Sequence, residues 1–163
     1  MDLNKAFDIL MKLEGGATIV SNPLDNGGLT KYGISQAAYP NLNIQDLTEE
    51  TAKGIYGTDY WNKVQCSKLK SELQYTVFDT AVNMGVTNAI KILQEAAGVS
   101  VDGVLGPETI TKSNGVLPIG YLLFRQWRDD DIIIHRKEQI CFLGGWKNRN
   151  YSIYKMYKDG ELL

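Results

Sequence analysis

Between Gly15 and Gly33 the chain carries five glycines, one proline, two asparagines and Asp25, and a continuous helix cannot run through that composition. The segment demands turns, arranged as a Gly-rich loop or a small hairpin. Its place in the chain matters, because helical periodicity runs up to it and resumes beyond it. Ahead of it, Asp2 is suited to an N-cap, and Leu3, Phe7, Leu10 and Met11 recur at helical spacing up to Glu14, where Gly15-Gly16 stops the helix.

Beyond it, Ser35 reads as the cap of a short turn of helix. Thr48-Glu49-Glu50 opens a longer helix that carries Ile55, Tyr56, Tyr60 and Trp61 toward the core or a cleft. Ser71 is placed to cap another, with Leu73, Val77, Phe78, Ala81 and Val82 as its apolar stripe and Gly85 at its end. Ala89, Ile90, Leu93 and Ala97 continue the pattern to Gly98, Asp102-Gly103 reads as a tight turn, and Gly106-Pro107 starts a short helix with proline at its first position. A periodic stretch from Ile119 to Leu143 closes at Gly144-Gly145, and Trp146, Tyr151, Tyr154 and Tyr157 belong to a last helix. The expected fold is mainly α, in one domain of 163 residues.

Charge and residue usage narrow the chemistry. A formal charge of −2 provides no broad cationic field for nucleic acid. The charges at Asp2, Lys5, Asp8, Lys12 and Glu14 break any secretory leader, and the apolar stretch Val116 to Phe124 is too short for a membrane span. Synthesis as a cytosolic protein is therefore expected. Cys66 and Cys141 are too few for a disulfide framework, lack CxxC spacing, and are read as buried free thiols. His135 is the only histidine, which argues against zinc hydrolysis with two or three imidazoles. No metal and no cofactor are expected, and the chemistry is expected to rest on carboxylates.

Glu14 stands at the negative end of a helix macrodipole, where a carboxylate is disfavoured and its protonated form gains ground. Partial burial beside Gly15-Gly16 would add to that. A protonated glutamic acid is what cleavage of a glycosidic bond requires, because the leaving oxygen must be protonated as the bond breaks. The plainer reading is a solvated glutamate at a frayed helix end. Asp25 lies where Gly27-Gly28 lets backbone approach a ligand closely, and it is either a second carboxylate that orients water or an Asx-turn side chain; Thr30 follows and is suited to holding that water. Asp79 and Asn83 share one face of a helix, as a hydrogen-bonding pair for an N-acetyl group or as a buried tie between helices. Tyr32 and Trp61 suit either sugar stacking or core packing. The run Asp129-Asp130-Asp131 is read as a solvated face, since consecutive helical residues cannot all reach one ion.

The run Glu14-Gly15-Gly16, followed by Asn22-Pro23-Leu24-Asp25-Asn26-Gly27-Gly28-Leu29-Thr30-Lys31-Tyr32-Gly33-Ile34, resembles the signature of glycoside hydrolase family 108, a family of phage endolysins and secretion-activator-like muramidases. Tyr60-Trp61 and Phe78-Asp79-Thr80-Ala81-Val82-Asn83-Met84-Gly85 resemble it too. Leu93-Gln94, Asp102-Gly103, Gly106-Pro107-Glu108-Thr109 and Gly145-Trp146 are similar to the segment that the family's description names a predicted peptidoglycan-binding domain. The resemblance covers nearly the whole chain. The family usually has Asp-Pro where this chain has Asn22-Pro23, which removes a charge at position 22.

The resemblance implies a lysozyme-like fold of two helical lobes, residues 1–88 catalytic and 89–163 resembling a peptidoglycan-binding domain, with the glycan in a cleft between them. It implies Glu14 as the catalytic acid and an N-acetylmuramidase acting on the peptidoglycan glycan strand. By looser analogy, phage-type lysozymes use a Glu, an Asp and a Thr in this order, which gives Asp25 and Thr30 supporting roles. Tyr32, Trp61, Asp79 and Asn83 are then the substrate-binding candidates. The rivals are a lytic transglycosylase and a non-catalytic wall-binding or secretion-assisting protein. A monomer, without nucleic acid or stable membrane insertion, is expected to wait in the host cytoplasm until a pore such as a holin admits it to the wall.

Overall fold

The computed structural model describes residues 1–14, 16, 18–21 and 28–163. The chain divides into two units, residues 2–59 and residues 60–163.

The first unit begins with α1 (Leu3–Glu14), whose buried face is Ala6, Phe7, Ile9 and Leu10. Asp2 caps it as expected, its Oδ1 accepting from the Lys5 backbone N–H at 2.9 Å. Gly16, just past the end, takes φ +67°, the left-handed conformation that glycine adopts without a Cβ clash. A three-stranded antiparallel sheet follows: β1 (Val20–Ser21), β2 (Leu29–Lys31) and β3 (Ile34–Ser35), in that order. Thr30 is opposite Val20 on one side and Ser35 on the other.

Tyr32 and Gly33 make the β2–β3 turn with φ +53° and +73°, both on the side of the Ramachandran map that a two-residue primed hairpin turn needs. Glycine at 33 has a second cause: a Cβ there would stand 2.6 Å from the Tyr56 hydroxyl, which donates to the Tyr32 carbonyl at 2.9 Å. Ser35 accepts from Ala38 N–H at 3.3 Å and Tyr39 N–H bonds the Ser35 carbonyl, giving one isolated turn rather than a helix. Helix α2 (Glu49–Tyr56) opens at Thr48, whose hydroxyl accepts from Thr51 N–H at 3.2 Å. It packs on α1 through an edge-to-face contact of Phe7 with Tyr56, ring centroids 5.6 Å apart.

A π-helical turn, Gly57–Trp61, leads into the second unit. Its centre is α3 (Ser71–Met84), buried continuously from Leu73 to Ala81, so it is enclosed on every face through most of its length. Ser71 is its first residue rather than its cap; Lys70 holds the cap position. Helix α4 (Val86–Ala97) ends at Gly98 in the left-handed conformation, and α5 (Pro107–Ser113) starts on its proline as expected. The turn between them is held by Gln94: its Nε2 donates to Asp102 Oδ1 (2.7 Å) and the Val104 carbonyl (3.0 Å), while its Oε1 accepts from Gly103 N–H (2.8 Å).

The periodic stretch from Ile119 divides where the sequence does not signal it. Helix α6 (Pro118–His135) is followed by a 3-10 segment, Lys137–Phe142, and then by α7 (Leu143–Lys158). Gly144-Gly145 therefore lies in the first turn of α7 instead of closing a helix. Both sites are open, with nothing within 4 Å of an added Cβ. Cys66 is buried, and that burial pushes its thiol up, whereas Cys141 is exposed, contrary to expectation. Among the described residues no helix is long and apolar enough to cross a membrane.

Candidate active site

Three of the expected site residues that the structure describes belong to the first unit. Glu14 is the last residue of α1. The helix is buried up to Leu10, one turn earlier, and Lys12, Leu13 and Glu14 are all exposed. The expected partial burial of Glu14 is thus not found; the residue is exposed at the carbonyl end of a 12-residue helix. Thr30 is the central residue of β2, half-buried, and held by pairing on both sides. Tyr32 is half-buried in the turn that follows, and Lys31 Nζ lies 5.8 Å from its ring centroid while donating to the Gln45 carbonyl at 3.0 Å. Asp25 lies outside the described residues.

The other three belong to the second unit, and two have structural tasks. Trp61 is only 7% exposed and meets Phe78 edge-to-face at 5.5 Å, so its ring is core and is not presented for stacking on a sugar. Asp79 is fully buried. Its Oδ2 accepts from Arg125 Nη1 at 2.7 Å, its Oδ1 accepts from Arg149 Nη2 at 2.7 Å, and Arg149 Nε reaches both oxygens at 3.0 and 3.1 Å. Burial pushes this carboxyl up, but the two guanidiniums outweigh burial and hold it below its ordinary value. Of the two readings of Asp79, the geometry favours the tie between helices. Asn83, one turn on, donates to the Asp79 carbonyl at 2.8 Å and is exposed.

Asn83 stands at a cavity of about 130 Å³ shared with Met84, Asn88, Arg125, Asp129, Ile132 and Trp146. Asp129 corrects the solvated-face reading of the acidic run, being 4% exposed with Oδ2 accepting from Asn150 Nδ2 at 3.2 Å. Burial pushes its carboxyl up and Asp130 adds to this, while Arg125 and the Asn150 bond oppose it. Arg125 is 3% exposed, and its Nε–H has no acceptor in the protein. Neither arginine was singled out from the sequence. The available signal was local: Tyr121, Leu122, Arg125 and Asp129 share one helical stripe of α6, so two charges sit on its buried face. Among the described residues no group of three acidic, histidine or cysteine side chains could hold a metal.

Residues 7–85 match the model of the glycosyl hydrolase 108 family. The matched segment contains Glu14, Asp25, Thr30, Tyr32, Trp61, Asp79 and Asn83, whereas Arg125 and Arg149, which hold Asp79, come from beyond it. The chain is also similar to a solved structure, that of Brucella abortus SagA, at 27% identity and a TM-score of 0.78, over 96% of this chain and 94% of that one. Among curated proteins no sequence matches. The architecture of the chain is mainly α and lysozyme-like, with the small sheet expected after the first helix.

Proposed function

We propose that this chain is an N-acetylmuramidase that hydrolyses the β-1,4 bond between N-acetylmuramic acid and N-acetylglucosamine in peptidoglycan. The observation that carries the reading is Glu14: an exposed glutamate that ends α1 and precedes the sheet holding Thr30, inside the segment that matches a glycosyl hydrolase family. As the bond between anomeric carbon and leaving oxygen breaks, Glu14 gives that oxygen its proton, and water adds to the anomeric carbon and yields a proton in turn. Asp25 and Thr30 orient this water or stabilise the positive charge that develops on the sugar. A phage or prophage lysis role, with entry to the wall through a pore, agrees with this chemistry.

Mass spectrometry of purified sacculi digested by the full chain tests the reaction type. Hydrolysis leaves reducing N-acetylmuramic acid ends, each one water heavier than the anhydro ends of a transglycosylase. Reducing ends support the muramidase; anhydro ends, or reducing ends on N-acetylglucosamine alone, overturn it.

A further inference from the structure

The cavity beside Asn83 belongs entirely to residues 60–163, and its polar groups are unequally satisfied. Asn83 Nδ2 donates to the Asp79 carbonyl and Asn88 Nδ2 to the Met84 carbonyl, both at 2.8 Å, and neither amide oxygen is engaged in the protein. Asp129 uses Oδ2 on Asn150 and leaves Oδ1 without a partner. On the donor side stands Arg125, 97% buried, whose Nε–H is unpaired. A buried polar group without a partner costs about 1 to 3 kcal/mol, so the Arg125 Nε–H, in a cavity whose rim also carries the amide oxygens of Asn83 and Asn88, marks a place where a ligand or ordered water completes the bonding.

The charges decide what kind of ligand fits. The charged side chains that line the cavity are one of each sign, Arg125 and Asp129, so a cation or an anion entering it would meet one like charge as well as one opposite charge. A neutral group that both donates and accepts meets no such penalty. Met84, Ile132 and the ring of Trp146 supply an apolar wall. The volume, about 130 Å³, is roughly ten times the ~10–15 Å³ that one water occupies by the same measure, enough for several non-hydrogen atoms.

We infer that the cavity formed by Asn83, Met84, Asn88, Arg125, Asp129 and Trp146 is a binding pocket for the acetamido group of an N-acetylated sugar. The acetamido carbonyl accepts from Arg125, its N–H donates to an oxygen of Asn83, Asn88 or Asp129, its methyl lies against Met84 and Ile132, and the Trp146 ring flanks the pyranose. The inference rests on the reading of the substrate as an N-acetylated glycan, but it concerns recognition rather than bond cleavage.

The test uses the full chain carrying Glu14→Gln, so that sugar is not consumed, titrated with N-acetylated chitotetraose and with cellotetraose, which has the same linkage and a hydroxyl in place of each acetamido group. The NMR signals of the Asn83 and Asn88 side-chain amides and of the Trp146 indole are followed. Saturable shifts with chitotetraose and none with cellotetraose are expected, and Asn88→Leu should weaken binding about fivefold to tenfold, the loss of roughly one net hydrogen bond. Asn83→Ala, at an exposed position where folding is not at stake, should weaken it in the same direction. Equal shifts with both sugars, no shifts at these three residues, or unchanged affinity in both variants overturns the pocket. If Glu14→Gln abolishes wall hydrolysis while these signals stay still, the muramidase reading stands and the pocket fails. Shifts together with undiminished hydrolysis give the reverse.

Discussion

Arg149 grips Asp79 with a forked contact, Nη2 to Oδ1 at 2.7 Å and Nε to Oδ2 at 3.1 Å, across 70 positions of sequence. With Arg125 on the same carboxylate, this joins α6 and α7 to the middle of α3. The knot lies deep in the second unit, with Asp79 at 0% and Arg125 at 3% exposure.

Removing Asp79 takes the carboxylate from the buried Arg125 and from the half-buried Arg149. Asp79→Ala should destabilise the chain by about 3 to 5 kcal/mol, the range for breaking a buried pair by deleting one partner. Chemical denaturation monitored by circular dichroism checks this. A midpoint unchanged from the parent, with weakened glycan binding instead, would return Asp79 to the role of a substrate contact.

The two buried acids of this unit respond to pH in opposite senses. Asp79 is held below its ordinary value of 3.8, so its contribution is complete above that value and is lost as pH falls through its lower folded value. Asp129 is held above its ordinary 3.8, so folding is favoured while it is protonated and loses that contribution as pH rises through its folded value. Asp129→Asn should therefore raise thermal stability at pH 7 and leave it nearly unchanged at about pH 3. Melting curves at both values decide the matter, and a loss of stability at pH 7 would contradict the assignment.

Gly33 combines positive φ with a close neighbour. Gly33→Ala would set a methyl 2.6 Å from Tyr56 Oη and disturb the hydroxyl's bond to the Tyr32 carbonyl. Gly85, at φ +87°, has open space around it, so Gly85→Ala meets backbone strain alone. The first substitution should cost more than the second, which is expected near 1 to 2 kcal/mol, roughly the penalty for a side chain in that region. Equal melting temperatures for the two variants would remove the Tyr56 contact from the explanation.

Gln94 organises the turn that follows α4. Gln94→Leu leaves the Gly103 N–H without its acceptor and the Val104 carbonyl with the Gly106 N–H as its remaining donor, at a cost of about 1 to 3 kcal/mol for the group left unpaired if it remains buried. Hydrogen exchange should accelerate at Gly103 and Val104 first. Uniform acceleration throughout residues 60–163 would instead show that the turn has no separate dependence on Gln94.

What the sequence disclosed was mainly short-range. The Asp2 cap, the stop after Glu14, the Thr48 cap and Pro107 at a helix start each depend on neighbours within one turn, and each has its expected place. The Ser35 turn is likewise local, although it never becomes a helix. The Asp79 knot could not be read that way, because its partners are 46 and 70 residues distant and only tertiary packing brings them together. The burial of Asp129 is hidden for a related reason: in the run of three aspartates it alone lies on the stripe of Tyr121, Leu122 and Arg125. Spacing identified Trp61 as either core or platform, and the nearness of Phe78 resolves it. Glu14 was found through its unfavourable place at a helix end, but its exposure depends on where the packing of α1 stops.

Glu14 as donor of the proton that breaks the glycan is tested most directly by turbidity loss of a suspension of purified bacterial walls, compared between the parent and Glu14→Gln. The amide keeps the shape and removes the acidic proton, so the rate should fall by about a hundredfold or more, the usual contribution of a positioned general acid. Clearance by the variant at the parent's rate, with both chains equally folded, would contradict the claim.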